Sequence, residues 1–152
     1  MPVTGAAELQ RLAVALRAAG RQDLRKDLLR GLRNGAKPMV PAARQAAATH
    51  LPKRGGLAAD IAGAKWGIRT RAGTGRGAGV RIVGAWGTHD MAALDSGLLR
   101  HPTFGRRGRG DWKDQKIPAH WFTDAMQHLA PEFRDQLEEV IDDVANRLAG
   151  SV

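Results

Sequence analysis

Three sets of residues in this chain have types and spacings that chemistry would need. Gly73, Gly75, Gly77 and Gly79 form a G-x-G-x-G-x-G run carrying Arg76. His89 beside Asp90, with His101, His120 and His128, offers imidazoles. Lysines and arginines gather from Lys26 to Arg44, at Arg69, Arg71 and Arg76, and at Arg106, Arg107 and Arg109. The glycine run matches neither phosphate-binding spacing, G-x-G-x-x-G or G-x-x-x-x-G-K-S/T. It also joins two predicted strands and opens no helix, so the N-terminal dipole that holds a phosphate is missing. Among the histidines there is no H-E-x-x-H arrangement, and His120 and His128 stand eight apart with no cysteine anywhere in the chain. That absence also removes disulfides, thiolate nucleophiles and iron-sulfur ligation. The carboxylates near the C-terminus fall on the solvent side of a predicted helix, where acid/base catalysis would lack a pocket. Catalysis therefore ranks last among the functions considered, and no cofactor or metal is expected.

The basic sets suit phosphates, since each neutralised phosphate releases counterions. Reading base sequence needs more. There is no Tyr, only 5% of residues are aromatic, and no helix-turn-helix, RRM or zinc-finger pattern occurs, so any nucleic-acid contact is expected to be non-specific. Trp66 and Trp86 read as core or sheet anchors, and Trp112, in a polar setting, as an interface anchor. Overall charge is +9 from 24 basic and 15 acidic residues, unevenly placed. Residues 1–79 carry +11, residues 80–120 carry +3 and residues 121–152 carry −5. A chain with a basic front and an acidic end can meet a copy of itself head to tail, because opposite potentials favour that encounter.

Elements to position these residues follow from periodicity. Leu9, Leu12, Ala13 and Leu16 recur at helical spacing before Gly20. Leu24, Leu28, Leu32, Met39 and Ala43 do so after it, with Lys26, Arg30, Arg33, Lys37 and Arg44 on the opposite side. Unbroken, that helix would carry a basic stripe about 27 Å long. Gly35, Pro38 and Pro41 predict a kink or restart near 34–38. Leu57 to Ile61 suits one helical turn. Ala64, Trp66, Ile68 and Thr70 then alternate with polar residues as a half-buried strand does, and Val80 to Val83 reads as its partner across the Gly-rich hairpin. Met91 to Leu99 reads as a weak helix or turn. Arg100 to His120 reads as a long polar arm, functional or ordered only on assembly. From Phe122 to Leu148 apolar residues keep i+3/i+4 spacing, with Pro131 predicting a kink and Phe122, Leu129, Phe133, Val140 and Val144 expected to pack on strands around Trp66, Ile68 and Ile82.

The fold expected is α+β: long N-terminal helices and a C-terminal helix packed on a small, mainly antiparallel sheet, with extended arms. It forms a single domain over 1–152, with a helical front (5–51), a strand region (62–86), a polar arm (100–120) and a final helix (120–149). The longest apolar run near the N-terminus, Leu12 to Leu16, is closed by Arg17 and is too short for a membrane span or signal core, so no membrane partner is expected.

Ala36-Lys-Pro38, Leu51-Pro-Lys-Arg-Gly-Gly-Leu57, Val80-Arg-Ile-Val-Gly84, Leu94-Asp-Ser-Gly-Leu-Leu-Arg-His-Pro-Thr-Phe-Gly105 and Ile117-Pro-Ala-His-Trp-Phe122 follow one another in that order. This order resembles the neck or tail-completion family of long-tailed bacteriophages, related to minor tail protein Z, from about Leu9 to Leu148. Many members carry a Tyr-Ala-x-x-x-Glu-x-Gly-Thr segment after the second strand; here Leu98-Leu-Arg-His-Pro-Thr-Phe-Gly105 stands at that place without the Tyr or Glu. The resemblance implies a virion protein without catalysis. It would form a homo-oligomeric ring, six-fold compatible, between the head connector or stopper and the tail-terminator or tail-tube proteins, around the DNA channel, and would reside in the host cytoplasm during assembly. Candidate arm and interface residues are Arg100, His101, Phe104, Arg106, Arg107, Arg109 and Trp112. Candidates for facing DNA or an acidic neighbour are Lys26, Arg30, Arg33, Lys37, Arg44, Arg71 and Arg76. The alternative is a basic protein that binds nucleic acid non-specifically.

Overall fold

Leu9, Leu12, Ala13 and Leu16 form the buried side of helix α1 (Gly5–Ala18). The chain leaves it through Gly20 at φ 67°, a left-handed conformation that glycine adopts without steric cost. The computed structural model describes residues 5–72, 79–87, 90–102 and 112–150. Helix α2 (Gln22–Gly35) buries Leu24, Leu28 and Leu32 almost completely. Lacking an amide hydrogen, Pro38 cannot continue it, and the helix restarts as α3 (Met39–His50). Ala36 N–H closes on Leu32 O at 3.2 Å and Lys37 N–H on Asn34 O at 3.2 Å. The restart expected near 34–38 is found: two helices joined through Ala36, Lys37 and Pro38 stand where an unbroken helix from Lys26 to Arg44 would have carried the basic stripe.

Helix α4 (Leu57–Ala62) follows, then strands β1 (Lys65–Arg71) and β2 (Gly79–Ala85), which pair antiparallel. The tip of the Gly-rich hairpin, with Arg76, lies outside the described residues. Asp90 caps α5 (Met91–Asp95), its carboxylate accepting from Ala92 N–H at 2.9 Å and Ala93 N–H at 3.3 Å. Strands β3 (Leu98–Pro102) and β4 (Trp112–Lys116) then pair antiparallel, Leu98 opposite Lys116 and Pro102 opposite Trp112. Strand thus occupies part of the polar arm read over Arg100 to His120, on both sides of residues 103–111, which lie outside the described residues. Helix α6 (Trp121–Ala149) runs through Pro131 without interruption.

The fold is α+β, with two separate two-stranded antiparallel sheets among the described residues. The chain divides into two compact units, residues 1–40, 67–83 and 129–152 in the first and residues 41–66 and 84–128 in the second. In the first unit the leucines of α1 and α2 close over Leu137, Ile141 and Val144 of α6, with Phe133 and Val140 packed at the edge. The expected sheet packing is met by Phe122, which stacks on Trp66, and is corrected for Phe133, Val140 and Val144. Of the described residues of the strand region only Ala72 and Val80 join this cluster, because two short strands offer far less apolar surface than two leucine faces. At Gly31 an added Cβ would lie 2.6 Å from Val140 Cγ1, and at Gly35 3.1 Å from Gln136 Oε1, so these glycines let α6 lie close against α2. Asp27 and Arg147 pair at 2.8 Å further along the same antiparallel helix contact.

The second unit is built on Ala46, Ala47, Leu51, Leu57, Ala58, Ile61, Leu94, Ile117 and Trp121. Trp66 stacks on Phe122 with centroids 5.7 Å apart and meets Trp121 edge-on at 6.4 Å. Both indoles keep a hydrogen bond, Trp66 Nε1–H to Ile61 O at 3.0 Å and Trp121 Nε1–H to Leu94 O at 3.3 Å, as buried indoles need to.

Candidate assembly surfaces

The arm candidates are carried by the β3–β4 ribbon of the second unit. Strand alternation puts Leu98, Arg100, Trp112, Asp114 and Lys116 on one face, with Arg100 opposite Asp114. Two large apolar side chains on it stand in solvent, Leu98 at 40% and Trp112 at 52% exposure. The neighbouring Leu99 is half-buried against the core, which ties the ribbon down by its other face. His101, half-buried, lies opposite Lys113. Phe104, Arg106, Arg107 and Arg109 lie outside the described residues.

The basic candidates are distributed by the helix break. Lys26, Arg30 and Arg33 stand on α2, Lys37 in the link after it and Arg71 at the end of β1, all exposed and all in the first unit, whereas exposed Arg44 belongs to the second. Several cations of this set have structural work. Arg30 pairs with Asp27 at 3.1 Å, Arg33 donates to Ile68 O at 3.2 Å, and Arg25, absent from the sequence candidates, donates to Ala72 O at 3.2 Å. Arg25 and Arg33 thereby fix β1 beside α2. At the start of α2 Arg21 and Asp23 pair at 2.7 Å. The hydrogen bond from Arg21 holds the Asp23 carboxyl well below the usual carboxylate range, and the reciprocal bond raises the Arg21 guanidinium. Hydrogen bonding to Asp27 likewise raises Arg147.

Opposed to this basic set, α6 exposes Glu132, Asp135, Glu138, Glu139, Asp142 and Asp143. Of these only Asp143 has an ion pair among the described residues, with Arg147 at 3.5 Å. A groove in the first unit, between Gly35, Pro38 and Met39 on one side and Leu129, Phe133 and Gln136 on the other, has Glu132 as its one titratable group. Among the described residues no three His, Asp or Glu side chains group as metal ligands do, and no helix is long and apolar enough to cross a membrane.

One polar cluster was not legible from spacing. Asp95, at the end of α5, accepts from Phe122 N–H at 2.8 Å and Thr123 N–H at 3.2 Å and from the Thr123 hydroxyl, capping α6 from 27 residues away. His120 reaches this arrangement at φ 61°, its N–H on Asp95 O. A cap supplied by the residue just before a helix shows in sequence; one supplied across the fold leaves no local signal.

Scans against family models, curated proteins and solved structures each return no match.

Proposed function

We propose that the protein is a structural component of the bacteriophage neck, forming a ring between head connector and tail tube around the DNA channel. It would assemble in the host cytoplasm and work without catalysis. The observation that carries this reading is the ordered set of motifs from Ala36 to Phe122. What supports it further is where they fall: Ala36 to Pro38 at the α2–α3 break, Leu51 to Leu57 at the turn into α4, Val80 to Gly84 on β2, Leu94 to Pro102 through the turn into β3, and Ile117 to Phe122 at the start of α6. Four of the five fall where the chain passes from one element to the next and set its course, which suits a scaffold. The exposed β3–β4 face with Leu98 and Trp112 is the kind of surface a stacked neighbour would cover. The proposed neighbours are further copies, the head connector or stopper, and the tail-terminator or tail-tube proteins.

A second reading, non-specific nucleic-acid binding, draws on Lys26, Lys37, Arg44 and Arg71, which are exposed and have no ion pair among the described residues. The deciding experiment is electron microscopy of particles made by a phage lacking this chain. Separate filled heads and tails, joined when the chain is supplied in trans, are expected; normal joined particles in its absence would overturn the neck reading.

A further inference from the structure

The exposed carboxylates of α6 repeat with a pitch that the cations of α2 and the turn after it match. Glu132, Asp135, Glu139 and Asp142 follow one another at steps of three, four and three residues, and Lys26, Arg30, Arg33 and Lys37 at four, three and four. The acidic set makes one line about 15 Å long at about 1.5 Å per residue, and the basic set one of about 10 Å from Lys26 to Arg33 on α2, with Lys37 following in the turn. Both lines lie on sides turned away from the shared core, because α2 buries Leu24, Leu28 and Leu32 and α6 buries Leu137, Ile141 and Val144. The acidic line has no ion pair of its own among the described residues, and its neighbours at i+3 and i+4 are like-charged, an arrangement that costs a helix stability. Within one chain the two lines cannot meet, since α2 and α6 already face each other through Gly31 and Val140.

We propose that the acidic line of α6 is the docking surface for the basic line of α2 in a second copy of this chain. Two helices with the same three-and-four spacing can lie along each other and pair charges at every turn, as flanking positions of a coiled coil do. Opposite charge also selects this contact over like-to-like pairing. Because one compact unit carries both surfaces, each copy offers one and accepts one. That is a heterologous contact, which repeats into a closed ring or an open filament. Arg30 and Arg33 keep donors for it beyond those engaged by Asp27 and Ile68 O. The proposal deepens the neck reading and rests on its ring-forming part alone.

The test uses the purified full chain and sedimentation velocity at about 50 mM and 500 mM salt. Wild type should associate at low salt and dissociate at high salt. D135K/E139K and K26E/K37E alter exposed positions without internal ion pairs among the described residues; each alone should weaken association at least about tenfold, with the helical circular dichroism unchanged. Mixing the two variants should restore it, because each then presents the charge the other lacks. Monomers at every salt, association that survives either reversal, or a mixture that stays monomeric would overturn the proposal. Any of these results together with a failure of head-to-tail joining in the absence of the chain would leave the neck reading standing without this contact.

Discussion

Gly31 tests the helix contact with a single methyl group. An alanine there would press its Cβ to 2.6 Å from Val140 Cγ1 and 2.9 Å from Cγ2. Neither atom is the end of a long flexible chain, so Gly31→Ala should lower stability by about 1–3 kcal/mol in urea denaturation despite its better helix propensity. Gly35→Ala meets the flexible end of Gln136 and should cost less. Asp95→Ala removes the acceptor for two α6 amides and should cost about 0.5–2 kcal/mol, with Asp95→Asn recovering part of it because its amide oxygen can take the same bonds. An Asp95→Ala melting curve identical to wild type would show that α6 is capped otherwise. For Asp23 the sign is set by a folded-state pKa below the unfolded one: any stability from the Arg21 pair is present above pH of about 4 and lost as pH falls through the folded value. A carboxyl titration by NMR should place Asp23 below its usual range, and a midpoint near 4 would mean the pair is absent in solution.

Elements were legible where packing repeats with the helix or strand period. The leucines of α1 and α2 and the apolar line of α6 show their period directly, and Pro38 shows the break. Strand β4 had no such signal. Trp112-Lys-Asp-Gln-Lys116 is exposed at all five positions, so it lacks the inside-outside alternation that betrays a strand, and its conformation comes from pairing with β3. Beyond Phe122 on Trp66, the partner of α6 was equally hidden, since an apolar line states that it will be buried and not by what. These points give two measurements. Amides across the β3–β4 ladder, anchored by Leu99 and Ile117, should exchange more slowly than their outward-facing neighbours, although a lone two-stranded ribbon is only marginally stable. Uniformly fast exchange would return the segment to an unstructured arm. Val144, at 2% exposure beneath the α1 and α2 leucines, should not tolerate Asp. The unpaired buried charge should cost about 3 kcal/mol or more and unfold the first unit, and a soluble variant with unchanged melting would place that face in water.

At the scale of the whole molecule the charge of +9 admits two readings, and salt dependence separates them. A nucleic-acid binder commits its cations to phosphates. The logarithm of its affinity for duplex DNA falls with the logarithm of salt at a slope of about 0.9 per contact, so Lys26, Arg30, Arg33, Lys37 and Arg71 of the first unit together would give a slope of about 4–5. K26E/K37E should then flatten it by about two. A scaffold that holds its cations for a neighbouring copy behaves otherwise. The −5 carried by residues 121–152 weighs against phosphate along α6, whose carboxylates stand exposed. The unassembled chain is therefore expected to bind duplex DNA more weakly than about 10 μM at physiological salt, with a shallow slope. The same K26E/K37E pair should instead block head-to-tail joining in a complementation assay. Tight, steeply salt-dependent DNA binding by the free chain, combined with normal tailed particles in its absence, would move the basic surface from assembly to nucleic acid.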